Sequence, residues 1–425
     1  MRRLRRYRPW LVLALIGPGI ITSAADNDAG GIITYTQAGA KYCYDLLWVI
    51  VLITFALAMI QEMCARMGVV TQKGLAELIR ENFGVKWTMF ALGALLLANL
   101  ATTVAEFAGL AASLEIFGIT RYITIPIAAI GIWLLVVKGS FKIVERVFLA
   151  LSAIYITYVI SGLMSGANWT KVAHDTFMPT FHADPSFMFL AIAVIGTTIA
   201  PWMQFFLQAS VVDKGVRVEN YVYQKWDVYI GSFLTDLVSF FIIVAAGTII
   251  YPELVHHPEL LKKGITEPAQ AAAALKPVAH GYARALFAIG LFNASLLAAA
   301  VLPLSTAYTY SEAFGWEIGI SRKFKEAPIF YSIYTFCILF GAAVVLFAGK
   351  ELVELMIRAQ AINGILLPVI LIFMLKLINR PEIMGKYTNS RIYNVCVWGM
   401  GIVLILMTVA WVVGLVFGRA LGIAS

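Results

Sequence analysis

Long apolar runs separated by short polar or basic turns follow one another along nearly the whole chain. A helix needs ~20 residues to cross a hydrocarbon core of about 30 Å. Runs of about that size at 10–39, 45–66, 87–117, 123–138, 146–165, 186–212, 229–250, 283–312, 327–347, 351–377 and 394–418 predict eleven transmembrane helices. The longest polar interruptions, 166–185 and 251–282, are too short for a soluble domain, so one all-α membrane domain is expected over residues 1–425.

Two of these runs are interrupted. The first contains Asp26-Asn27-Asp28-Ala29-Gly30-Gly31, and the sixth contains Gly196-Thr197-Thr198 shortly before Pro201. Paired interruptions in corresponding halves point to an inverted-repeat transporter with its site where the broken helices meet. The repeats would be about 10–165 and 186–377, five helices each, with 394–418 as an extra helix. That expectation rests on the positions of the breaks, because the halves share no residue-level pattern. Pro and Gly also kink ordinary membrane helices, which leaves the sixth run open; two acids beside two glycines favour an unwound segment in the first.

Composition and charge narrow the class. The chain is 61% hydrophobic and 13% charged, against about 25% charged in soluble domains. Five arginines lie among residues 1–8, and alternate loops are basic, as in Lys73, Arg80 and Lys86, or Lys214, Arg217 and Lys225. This predicts a cytoplasmic N-terminus and, after eleven spans, an extracellular C-terminus in a plasma (inner) membrane. Lys262, Lys263 and Lys276 on the outer side weaken the pattern without reversing it. The net charge of +8 is therefore a topology signal rather than a nucleic-acid footprint. Cys43, Cys64, Cys337 and Cys396 are scattered singly and suggest neither a disulfide framework nor a thiolate metal site. The chain has no HExxH or GxSxG motif, and no histidine within a span, which argues against an enzyme. The expected partners are the lipid bilayer and small ions, with no resident cofactor and no obligatory protein partner.

An aspartate at the centre of a membrane helix costs ~2.5–3.5 kcal/mol on insertion scales, so it normally faces a cavity, a partner or an ion. Beside Asp28, an unwound segment would bare carbonyl oxygens, and a carboxylate with carbonyls is a site for a hard cation. The alternative is that Asp28 caps the second half-helix.

The stretch "GPGIITSAADNDAGGIITYTQAGA" (17–40) resembles, without a gap, the first helix of the Nramp divalent-metal transporters, which carries an Asp-Pro-Gly-Asn motif. The resemblance continues in "RMGVVTQKGLAELIREN" (66–82), "AEFAGLAASLEIFGI" (105–119) and "AQAINGILLP" (359–368), and implies a LeuT-type fold. At the family motif this chain has Asp28, Ala29, Gly30 and Gly31, so the asparagine ligand is replaced by glycine. The family's metal-binding Ala and Met align with Thr197 and Ala200, so the thioether is absent. Thioether sulfur favours transition metals, whereas magnesium takes oxygen ligands and keeps several waters. This pattern is similar to that of the Nramp-related magnesium transporters. It implies import of largely hydrated Mg2+, with Mn2+ as a second substrate. Asp28 would supply charge, Thr197 a further oxygen, Gly31 and Ala200 added room, and Gln360 a group that approaches the ion. Gly30 is expected near the ion, as are Asp26 and Asn27, which have no family counterpart as acid and amide. In a regular helix Asp26 would be about 200° around from Asp28, so it reaches the hydrated ion only if the unwinding begins early and otherwise serves a neighbouring polar contact.

The family's proton relay is assigned to an aspartate and a glutamate in the third helix and a histidine in the sixth. Here Thr103 stands for the aspartate while Glu106 remains, either to titrate or to bond between helices, and the histidines fall in outer loops. Weakly coupled or uncoupled transport is expected. Glu145 and Arg146 should pair or snorkel, and Asp227 and Asp236 should bond to the backbone of a broken helix. Two rivals remain: a proton-coupled manganese or iron importer, and a sodium-coupled organic-solute transporter, whose substrate carboxylate Asp28 would repel.

Overall fold

In a computed structural model, residues 18–138, 152–182, 184–317, 324–347, 349 and 351–420 are described, and among them all regular structure is helical. The helices are α1 (Pro18–Asp26), α2 (Ala29–Tyr42), α3 (Leu47–Thr71), α4 (Leu75–Glu115), α5 (Arg121–Val137), α6 (Ile156–Met164) and α7 (Trp169–Phe177). They continue with α8 (Pro185–Thr198), α9 (Pro201–Asp213), α10 (Tyr221–Ile249), α11 (Ala283–Phe314), α12 (Pro328–Phe347), α13 (Leu352–Ile378) and α14 (Arg391–Ala420). Eight helical segments are long and apolar enough to cross a membrane, counting α8 and α9 as one. The other three expected spans correspond to α1 with α2, to the 17-residue α5, and to residues 152–164. The N-terminal arginines, residues 10–17, Glu145 and Arg146 lie outside the described residues.

Local chemistry accounts for the boundaries. Gly84 has φ +77°, a conformation that costs glycine little, and the chain turns there inside α4. The amphipathic Leu75–Phe83 stretch therefore precedes the span, which begins near Trp87 as the sequence predicts. The polar 251–282 loop is not plain coil: four short helical turns run through it, each with a proline in its first two positions, where a missing N–H costs nothing. Asn168 caps α7, its Oδ1 accepting the Lys171 N–H at 3.2 Å.

The broken helices are held by the rest of the bundle. α1 and α2 pack on α10, α8 packs on α13, and α4 runs between α11 and α13. Asp227 on α10 accepts the N–H of Gly19, the second residue of α1, at 2.7 Å, and the Thr235 hydroxyl donates to the Ser23 carbonyl at 2.6 Å. Asp227 thus bonds to the backbone of a broken helix, as expected; Asp236 does not. α14 lies at the periphery, with 11% of its apolar window buried. Exposed Phe55, Phe117, Ile127 and Phe347 suit contact with lipid.

A polar knot joins three helices away from the breaks. Glu62 on α3 receives the hydroxyls of Tyr221 and Tyr393 (the latter at 2.7 Å) and pairs with Arg66 at 3.2 Å. Arg66 also donates to the carbonyls of Tyr387 at 3.1 Å and Thr388 at 3.4 Å and to the side chain of Asn389. The four cysteines are free thiols.

Candidate metal centre

The first break follows from Asp28. Its backbone is extended (ψ 173°) and its Oδ1 accepts the Gly31 N–H at 2.5 Å, so it starts α2 as an N-cap. The capping alternative is therefore realised, and it occupies one carboxylate oxygen. The second break follows from Pro201. Residue 201 has no N–H to close a helical turn on the Thr197 carbonyl. α8 stops at Thr198, Ile199 and Ala200 leave helical geometry, and α9 begins at the proline. The Ala200 carbonyl accepts the Met203 N–H at 3.2 Å.

The two breaks and α13 bring several expected residues together. Gln360 Nε2 donates to Asp28 Oδ1 at 3.2 Å and Oδ2 at 3.1 Å. A Cβ on Gly30 would lie 2.0 Å from that nitrogen, so the contact requires a residue without a side chain. The Thr197 hydroxyl stands near Asp28, on the other side of the position a Gly31 Cβ would fill, and makes no hydrogen bond. Glu106 reaches across from α4: its Oε2 accepts the N–H of Ala29, the residue after Asp28, at 3.2 Å. Glu106 thus forms the interhelical bond foreseen for it while standing against the candidate ligand.

Other expectations need correction. Gly31 does not leave open room: a Cβ there would be 2.9 Å from the Thr197 hydroxyl and 3.0 Å from Asp28 Oδ1, because α2 and α8 close over the position. Ala200 lies in the linker with its carbonyl engaged by α9, so the volume it contributes is that of the missing side chain alone. Asp26 still belongs to α1, since the unwinding begins after it. It is buried where α1 packs on α10, one turn after Ser23, whose carbonyl accepts the Thr235 hydroxyl. Asn27 is buried in the linker with its Oδ1 unpaired. Thr103 points at Gly341 of α12, and its hydroxyl donates to the Asn99 carbonyl at 2.7 Å, so it has no part in the centre.

Sequence reasoning missed Asn363 and Thr102. Asn363 Nδ2 donates to Gln360 Oε1 at 2.8 Å and to the Thr102 hydroxyl at 2.8 Å, which fixes the Gln360 amide with its nitrogen toward Asp28. The signal was present: Asn363 follows Gln360 by three residues, on the same helical face. A cavity of about 630 Å3 is lined by Gln37, Lys41, Leu190, Ile265, Glu354 and Ile357, the last one turn before Gln360 on α13. Gln37 holds one wall, donating to the Lys263 carbonyl at 3.0 Å and accepting the Ile265 N–H at 2.6 Å. Among the described residues, no three of His, Cys, Asp or Glu converge closely enough to hold an ion by themselves. Any ion here would rest on fewer than three such groups, completed by neutral oxygens and water.

The sequence model of the Nramp family, described as natural resistance-associated macrophage protein-like, matches residues 19–414. The chain belongs to the Nramp family. Solved structures agree with that placement. The Eremococcus coleocola manganese transporter, in complex with an aromatic bis-isothiourea substituted compound, is 22% identical and superposes with a TM-score of 0.74, over 94% of this chain and 86% of that one. A mutant of the same transporter gives 20% identity, a TM-score of 0.75, and coverage of 98% and 90%. MhsT in complex with L-phenylalanine gives 14% identity and a TM-score of 0.59, over 92% and 98%. The fold of this Nramp chain is all-helical and of the LeuT type.

Proposed function

We propose that this Nramp protein imports divalent metal cations, magnesium first and manganese second, as largely hydrated ions by alternating access. The observation that carries this reading is the donor set around Asp28: a carboxylate, the Thr197 hydroxyl and the Gln360 amide, with Ala200 where the family's thioether would stand. Hard oxygen ligands without sulfur give no advantage to a transition metal, and a single carboxylate leaves magnesium most of the waters it sheds reluctantly. For the cation to reach Asp28, the Gln360 nitrogen must swing away. Turning its Oε1 to the ion means releasing Asn363. The broken helices α1–α2 and α8–α9 then form the pivot between two inverted repeats, about 10–165 and 186–377, with 394–418 appended. The membrane is the plasma membrane, with the N-terminus inside and the C-terminus outside.

Uncoupled entry is supported by Thr103, a neutral side chain bonded to its own helix, and by the absence of histidine from the spans. A divalent cation is already driven inward by about 4.6 kcal/mol at roughly −100 mV. A proton-coupled manganese or iron importer is the second reading. It is favoured by Glu106, a second acid whose carboxyl bonds to the backbone next to Asp28. The test is uptake into proteoliposomes with a magnesium dye and a pH dye read together, for the parent protein and Asp28→Ala. Potential-driven magnesium entry without acidification, lost in the variant, is the expected result. Exclusion of magnesium with acidifying manganese entry would establish the second reading instead.

A further inference from the structure

Asp26, the last residue of α1, and Asp236 on α10 are each 2% exposed on helices that pack together: the Thr235 hydroxyl, next to Asp236 in the chain, donates to the Ser23 carbonyl one turn before Asp26, and Asp28 follows Asp26 by two residues. Neither aspartate forms a salt bridge among the described residues. Asp26 Oδ2 and both oxygens of Asp236 make no hydrogen bond. Two further buried oxygens on the adjoining turns are also unpaired: Asn27 Oδ1 and the hydroxyl of Ser232, which lies one turn before Asp236 on the same face of α10. The nearby hydroxyls do not relieve them. Thr54, the polar neighbour of Asp236, donates to the Ile50 carbonyl at 2.8 Å, and the Tyr35 hydroxyl is held by Thr198 at 2.7 Å.

A set of buried acceptors without donors is costly unless something supplies hydrogens or positive charge. Direct ligation of one bare ion by Asp26, Asp28 and Asp236 is ruled out by their separation, since no three acids among the described residues converge on a common point. A cation that keeps its water meets both requirements, because coordinated waters point their hydrogens outward and carry the ion's charge with them. We propose that Asp26, Asp236 and Ser232 form a third wall of the metal centre, on the α10 side, which accepts hydrogen bonds from waters of the divalent cation held at Asp28. This rests on the hydrated-ion reading above and adds α10 to the elements that select the ion. The wall favours the cation that holds its waters most firmly, magnesium, over manganese.

The test is the KM for magnesium and for manganese in proteoliposomes, for the parent, Asp236→Asn, Ser232→Ala and Asp28→Asn, with the melting temperature of each in metal-free detergent. Groups around a bound metal's ligands typically contribute 10–100-fold to affinity. Asp236→Asn is expected to raise the magnesium KM about ten-fold, to raise the manganese KM less, and to leave the metal-free melting temperature near the parent value. Ser232→Ala should shift the preference the same way by a smaller factor. It keeps both carboxylates, so it serves as the test if Asp236→Asn does not fold. An unchanged ratio of the two KM values in these variants would overturn the proposal. If Asp28→Asn abolishes uptake while the ratio stays fixed, the third wall alone fails. If Asp28→Asn transports normally, the metal centre itself is misplaced.

Discussion

Gly30 shows how much of the site depends on what a residue lacks. A methyl group there would meet the Gln360 side chain at three atoms, the nearest 2.0 Å away, and Asn363 prevents the amide from simply turning aside. Gly30→Ala is therefore expected to fold and reach the membrane, but to lose metal uptake by roughly ten-fold or more, measured in the same liposomes. Parent-like uptake would show that the Gln360–Asp28 contact is incidental. Asp28 and Gln360 were legible because each is a polar residue in an apolar run. Asn363 and Thr102 were equally polar but act at one remove, through a partner's orientation, which sequence spacing alone does not reveal. Asp26 was legible as a charge and illegible as a direction, since one residue of extra helix decides which neighbour it faces.

Element boundaries follow from backbone chemistry, and here the sequence was a good guide. Proline at 201 and the acid-glycine stretch at 26–31 mark the breaks to within a residue or two. The shortness of the loop at 43–46 and the glycine turn at 84 set where α3 begins and where the α4 span starts. What could not be read was how closely the elements approach. At Gly196 a Cβ would sit 2.2 Å from both the Gln360 carbonyl and the Gly364 nitrogen, backbone atoms that have no rotamer to move. Gly196→Ala must push α8 off α13 and is expected to cost about 1–3 kcal/mol, seen as a melting temperature lowered by some degrees in detergent. An unchanged melting temperature would mean that the two helices slide apart freely.

For the whole molecule, the knot around Glu62 ties α3 to α10 and α14 and to the chain at 387–389. With 2% of Glu62 exposed, removing its carboxylate leaves the Arg66 charge without its counter-ion in a half-dry setting. Glu62→Ala should destabilise the fold by ~3 kcal/mol, whereas Tyr393→Phe, which removes one hydroxyl, should cost about 1 kcal/mol. Equal effects in a thermal-shift assay would show that the knot is no more than packing. The lengths of the apolar runs outlined the spans in advance, because they are independent of the packing. Glu62 meets Tyr221 and Tyr393 across more than a hundred residues of chain, and no local pattern announces those pairs.

Pro201 also governs what happens between transport cycles. A helix interrupted by a bound ion would tend to zip shut when the ion leaves, and each new ion would have to unzip it. Here the missing N–H is covalent, so the gap opposite the Thr197 carbonyl persists whether the carrier is empty or loaded. On the alternating-access reading proposed above, the empty carrier would have no hydrogen bond to break there before accepting the next ion.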